Sequence, residues 1–326
     1  MRTAVVAIAA LILCGCSKTI VYSPSAIEER LGYDDRQESA LFWRGDGVAQ
    51  GEDGEIVGSI KTALKLENGE RILGIDDGAV LSADNQGTLK IYGARVSQLT
   101  FSDPIAQAAT DGKIVASVSR TNACRITDIA SGETIFLTQE RLSIAVTSRL
   151  ARPLITPTTV YFPTLDGKLL IVDRAARKIV SEPPVGTEEF FGNLIFLKRV
   201  GSRIIAAGTT KIVSFGAATV SKSYAIRAVE LLPSGLYLFT QDGEVLRLNE
   251  LLEPEAQTKI QYARLIAAAE KNGAIFAVEQ SGYIVRLENN LKTVTVFELP
   301  DRIRSVLLAT NDRLYYHNKI IEWRTR

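Results

Sequence analysis

The residues with the clearest capacity for chemistry stand at the amino terminus, where Leu13-Cys14-Gly15-Cys16 closes an unbroken apolar run from Ala4 to Leu13 preceded by Arg2. About ten apolar residues behind a positive charge fit the hydrophobic segment of an export signal, and are half of what a bilayer crossing needs. A branched apolar residue three places before a cysteine, with a small residue directly before it, is the pattern of the bacterial lipobox. Its chemistry needs a thiol at the first mature position, because a diacylglycerol thioether is built there before the peptidase cuts. Residues 1–15 are therefore predicted to be a lipoprotein signal peptide, and Cys16 the lipidation site. The alternative is a plain secretory signal with incidental cysteines, cleaved after a small residue. Ser17 stands where Asp would favour retention in the inner membrane, so the address reads as outer membrane, facing the periplasm. Acyl chains contributing about 0.8 kcal/mol per buried CH₂ make a durable anchor.

Elsewhere the chain offers little to a catalytic mechanism. Its single histidine, His317, lies in a strand-like RLYYHNK context, and one histidine without cysteine or carboxylate partners reads as structural. No cysteine–histidine cluster has zinc spacing, and neither GxSxG nor a phosphate-binding GxxxxGK[ST] loop occurs. Cys124, the only cysteine beyond Cys16, cannot close an intramolecular disulfide and reads as a small buried hydrophobe. Paired carboxylates in Gly51–Glu55 and Gly74–Gly78 supply two or three oxygens where calcium needs six to eight, and turn chemistry explains them more simply. The run Glu250–Gln257 (ELLEPEAQ) reads as a solvated acidic loop. No catalytic residue, metal site or cofactor is expected, and the predicted class is non-enzymatic.

The elements that must carry these residues form a repeat. An apolar run, a turn, two β-rich runs joined by a tight turn and a polar connection recur about every 37 residues. Arg152–Val185 is the clearest copy, with Thr159–Pro163 and Lys168–Val172 as strands and Asp166-Gly167 as the hairpin turn. Matching turns fall around Gly54, Gly87, Asn122, Thr210, Gly243, Gly282 and Asn318. Four short strands per repeat of this length signify a propeller blade, and blades stack into a ring because one blade cannot cover both of its faces. The predicted fold is all-β, a β-propeller of four-stranded antiparallel blades over residues 36–326, with residues 16–35 as a lipidated tether. Eight blades are expected. The last copy has only three strands, so Thr19–Ser23 or Ala40–Arg44 should supply its outer strand; if Ala40–Arg44 does so, the count falls to seven. Gln261–Lys271 (QYARLIAAAEK) has helix-forming composition, but its position predicts an innermost strand.

Lys+Arg 38 against Asp+Glu 37 argues against nucleic acid as a partner, and 46% hydrophobic residues supply a large core. The segments Thr127–Phe136 and Ile171–Val180 resemble the PQQ-type propeller repeat in their Asp, small-residue turn and following apolar run. With the lipobox in front, the whole chain resembles the BamB-type lipoproteins of the outer-membrane β-barrel assembly machinery. The tryptophan that usually closes such repeats is mostly missing, since Trp43 and Trp323 are the only two. The resemblance implies a non-enzymatic scaffold that binds the barrel-forming component through loops on one face of the ring. Leu142–Arg149 would sit near such a loop, which makes Arg149 and Arg152 candidate partner-binding residues. Two rival readings stand beside this one. The first is an accessory propeller lipoprotein of another envelope machine, for secretion or motility. The second is a quinoprotein-like or sugar-acting enzyme, whose central funnel would be lined by carboxylates and aromatics.

Overall fold

Apolar strands with period-two or continuous burial, punctuated by Gly and Asn turns, pack into eight sheets arranged as a closed ring. The computed structural model describes residues 21–58, 60, 62–143, 145, 147–186 and 192–324. Residues 1–15, expected to be a signal peptide, and Cys16 lie outside the described residues. Numbered along the chain, the blades begin with Leu41–Arg44, Arg71–Asp76, Ile105–Thr110, Leu154–Ile155, Phe196–Val200, Ile226–Leu232, Leu265–Lys271 and Leu307–Ala309 as innermost strands. Each runs antiparallel to the next strand outward, and the order within each blade follows the sequence except at the outer edges of blades 7 and 8.

Burial explains the composition of each position. Second strands such as Ile114–Ser119 and Ala274–Glu279 are buried at every residue, because a neighbouring blade covers each face. Outer strands face water, and Lys178–Ser181 is exposed throughout. The core is therefore divided among eight clusters, one at each blade-to-blade interface. The smallest closes the ring between blades 8 and 1, where Leu41, Ala49 and Leu308 meet. The stretch read as helix or strand resolves as Leu265–Lys271, the innermost strand of blade 7, whose small residues fit the crowded centre. The acidic run is only half a loop, since Pro254–Lys259 forms the outer strand of blade 6.

A recurrent turn explains why the repeats were visible. Gly54, Gly87, Gly167, Gly243 and Gly282 occupy the left-handed region at the hairpin between second and third strands. Each offers its carbonyl to an amide just past the outer strand, as in Phe101 to Gly87 at 3.0 Å and Ile260 to Gly243 at 2.8 Å. Glycine tolerates that φ, and any side chain there would meet the returning chain. Asn122, at φ 68, takes the same role in blade 3.

Ring closure differs from both expected donors. The outer strand of blade 8 is Asp35–Arg36, which pairs with Ile320 and Lys319. Leu41–Arg44 instead forms the innermost strand of blade 1, so the count stays at eight. Of Thr19–Ser23 only residues 21–23 are described, and they carry no strand. Blade 1 has three strands and a single bridge, Glu55 to Lys65, where its fourth would run. Upstream of the closing strand, Glu29–Arg30 adds in parallel to the edge of blade 7. Tyr22 is buried against Tyr283, their rings edge-on at 5.6 Å. Residues 21–36 therefore run as a strap along blades 7 and 8.

Candidate functional site

The ring axis is filled by charge. Lys198 of blade 5 pairs with Asp46 of blade 1, directly across an eight-membered ring. Arg44 of blade 1 faces Glu230 of blade 6 at 4.0 Å. Arg149, in the connection from blade 3 to blade 4, donates to the carbonyl of Ile266 in blade 7. Residues on such distant blades can meet only at the centre. Arg152 completes the network: its guanidinium pairs with Asp76 of blade 2 at 2.5 Å, and its Nε donates to the Ala108 carbonyl at 2.8 Å. Asp76 in turn accepts from the Thr110 amide at 2.9 Å.

These contacts set the protonation behaviour. Burial pulls the Arg149 guanidinium down to about 10, reinforced by the nearby Arg44 and Arg227 and opposed by Glu230. Burial raises the Glu230 carboxyl, with Arg44 and Arg149 pulling the other way. Asp46 is desolvated too, yet Lys198, Arg152 and Arg44 together hold its carboxyl below the usual range. Arg227 is depressed by burial and by Arg264, and its buried Nε has no hydrogen-bond partner among the described residues. Arg44, Arg149, Arg152 and Lys198 thus surround Asp46, Asp76 and Glu230, while Arg227 stands beside Arg264 and Glu279.

The two arginines picked from the sequence both belong to this axis. Arg152 is 8% exposed and its guanidinium is held by partners within the chain, and Arg149 is half-buried among the inner strands. Sequence reading missed Asp46, Lys198 and Glu230, whose partners lie far away along the chain, and assigned Asp76 to turn chemistry, whereas it ends the innermost strand of blade 2 and pairs with Arg152. The remaining chemistry-bearing residues are embedded. Cys124 is a free, fully buried thiol that burial pushes well up. His317 sits at φ 53 in the last hairpin turn of blade 8, against Tyr316. Among the described residues no group of three or more His, Cys, Asp or Glu is arranged to hold a metal. Trp43 lies under Arg71, and Trp323 stacks on Phe276 at 5.1 Å. Trp43 packs against the core between blades 1 and 2, and Trp323 belongs to the core between blades 7 and 8.

With its axis spanned by side chains, the ring presents its outer rim. Two stretches of rim carry exposed large apolar side chains. Val96, Leu137, Ile179 and Val180 project from the outer strands of blades 2 to 4, whose outer edges carry no further strand among the described residues. The exposed Val294 lines a groove of about 420 Å³ between the strap and blades 6 and 7, with Tyr22–Ala26, Glu28, Ile260, Gln261, Thr295 and Val296, and the exposed Val21, Ile27 and Tyr262 adjoin it along the chain.

No family model matches the chain. It is 26% identical over 235 residues to the plasminogen-binding protein PgbB of Helicobacter pylori, a match covering 66% of this chain and 42% of that protein. A second strain's PgbB is 25% identical over the same share. The chain thus spans less than half the length of these curated relatives. Among solved structures, BamB from Moraxella catarrhalis superposes with a TM-score of 0.67 at 16% identity, covering 90% of this chain and 99% of that one. A computationally designed protein, Ika8, follows at 0.64 and 13% identity, again over 90% and 99%. At such identities the likeness is one of fold.

Proposed function

We propose that this chain is an outer-membrane lipoprotein, anchored through Cys16 and facing the periplasm, that scaffolds protein partners in the assembly of β-barrel outer-membrane proteins. The observation that carries this reading is the match of its eight-bladed ring to nearly the whole length of a BamB ring. The lipobox supports the address. The axis supports a binding role, since its ions are occupied with one another and the free surface lies on loops and edges. The partner surface is the rim of blades 2 to 4. An extended segment can add a strand to the open edge of Lys178–Ser181, beside Val180 and Leu137, in the way the chain's own strap adds to blade 7.

The test is crosslinking from positions 137 and 180 in native outer membranes, with the captured protein identified by mass spectrometry. The barrel-forming component should be recovered from both, and its absence would refute the assembly role. A parallel fractionation measures the anchor: Cys16→Ala should move the folded ring to the soluble periplasmic fraction and weaken partner capture, because effective concentration falls. Retention of that variant in the membrane without its partner would refute the anchor. The likeness to PgbB favours a second reading, an outward-facing ring that binds a host protein such as plasminogen. Surface accessibility of the intact-cell protein to protease, with plasminogen binding to the purified chain, would select this reading over the first.

A further inference from the structure

We propose that the groove between the strap and blades 6 and 7, with its flanking apolar and aromatic side chains, is the face the ring lays against the lipid bilayer. The inference rests on Cys16 being the lipid anchor, and adds which side of the ring meets the membrane.

The first argument is one of reach. Tyr22 is locked into the ring: it is 8% exposed, lies in the cluster shared by blades 6 and 7, and meets Tyr283 edge-on. It stands only six positions after Cys16. An extended chain advances at most about 3.5 Å per residue, so Tyr22 lies within roughly 21 Å of the acylated cysteine. A ring of eight blades cannot turn freely on so short a leash. The rim at blades 6 and 7 must stay near the headgroups, and blades 2 to 4 must point away.

The second argument is the character of that rim, which follows from other residues. Val294 is exposed and lines the groove, and the exposed Val21, Ile27 and Tyr262 directly adjoin its lining residues Tyr22, Ala26 and Gln261 along the chain. A tyrosine among aliphatic side chains suits the bilayer interface, where its ring sits among acyl ends and its hydroxyl stays wet. Lys292, exposed two residues before Val294, would meet anionic headgroups. An exposed apolar cluster is a liability on a free surface, but at the membrane it adds a second, weak attachment to the acyl anchor.

The test uses the full lipidated chain with Cys124→Ala, reconstituted into vesicles of phosphatidylethanolamine and phosphatidylglycerol. An environment-sensitive fluorophore is placed through Tyr262→Cys or Val294→Cys, and for comparison through Val96→Cys or Val180→Cys. Nitroxide on the lipid headgroup is the quencher. Labels at 262 and 294 should be quenched several-fold more than those at 96 and 180. Adding Tyr22→Ala should shrink that contrast, since the leash then runs to the next fixed point near Glu28. Equal quenching at all four positions, or stronger quenching at 96 and 180, overturns the orientation. The mass of the peptide carrying Cys16 separates the two failures. An acylated chain without the contrast defeats the orientation alone, whereas an unacylated Cys16 defeats the anchor and the orientation together.

Discussion

Replacing Arg152 with Met tests whether the charged axis holds the ring together. Arg152 makes two bonds to Asp76, at 3.1 and 2.5 Å, and one to the Ala108 carbonyl at 2.8 Å. Methionine fills much of the volume but leaves Asp76 without its cation. Removing one partner of a buried pair typically costs about 3–5 kcal/mol. Asp76 keeps the Thr110 amide and is 22% exposed, which places the loss at the lower end, about 3 kcal/mol. In a chain of this size about 2 °C of Tm is lost per kcal/mol, so a fall of about 6 °C is expected. The assay is thermal unfolding of the soluble Cys16→Ala chain with and without the substitution. Asp76→Leu in the Arg152→Met background should recover part of the loss, because the orphaned carboxylate goes with it. Gly74→Ala should reproduce part of the loss from outside the pair, since its new Cβ would stand 2.5 Å from Arg152 Nη1. A fall of less than about 2 °C, or a double variant no more stable than the single, would refute the assignment.

Three further outcomes follow from other parts of the ring. Tyr22→Ala removes an almost fully buried ring from the blade 6–7 cluster. It should cost about 3 kcal/mol and speed hydrogen exchange at the Leu31 and Glu28 amides, which bond to blade 7. Gly243→Ala forces a side chain into φ 88 and against the Ile260 carbonyl, and should lower the urea midpoint by the equivalent of about 2 kcal/mol or more. Glu230 has its folded pKa raised, so the folded state holds more protons than the unfolded chain just above pH 4.5 and stability falls as pH rises through that window. Glu230→Gln should flatten that slope in a stability-against-pH series. Asp46, whose pKa is lowered, acts only below 3.8, where its stabilisation is lost as pH falls.

What the sequence reveals about this molecule depends on how local the cause is. The blade count was legible because most hairpin turns carry their own requirement, a left-handed residue whose carbonyl receives the returning chain, and Gly54, Gly87, Asn122, Gly167, Gly243 and Gly282 announce it one after another. The strand at Leu265–Lys271 was legible from its place in the period, although alanine-rich composition suits a helix as well. Closure was less so. Asp35–Arg36 is two residues long, polar and exposed on both, because an outer strand needs backbone pairing and no apolar face; it leaves no hydrophobic pattern to find. The axis was almost wholly hidden. Arg149 was selected as a loop cation, and its partner lies 117 residues on; Lys198 and Asp46 are 152 apart, and Arg152 and Asp76 are 76 apart. No period or spacing relates such pairs, since they become neighbours only when the eighth blade closes on the first. The groove at blades 6 and 7 has the same origin. Val21, Tyr262 and Val294 are each unremarkable apolar residues in three separate segments, and the strap's path along blade 7 is what assembles them into one surface. Local turns therefore declare the architecture, whereas the charged axis and the strap groove are made by closure, and reading them from this chain requires the closed ring.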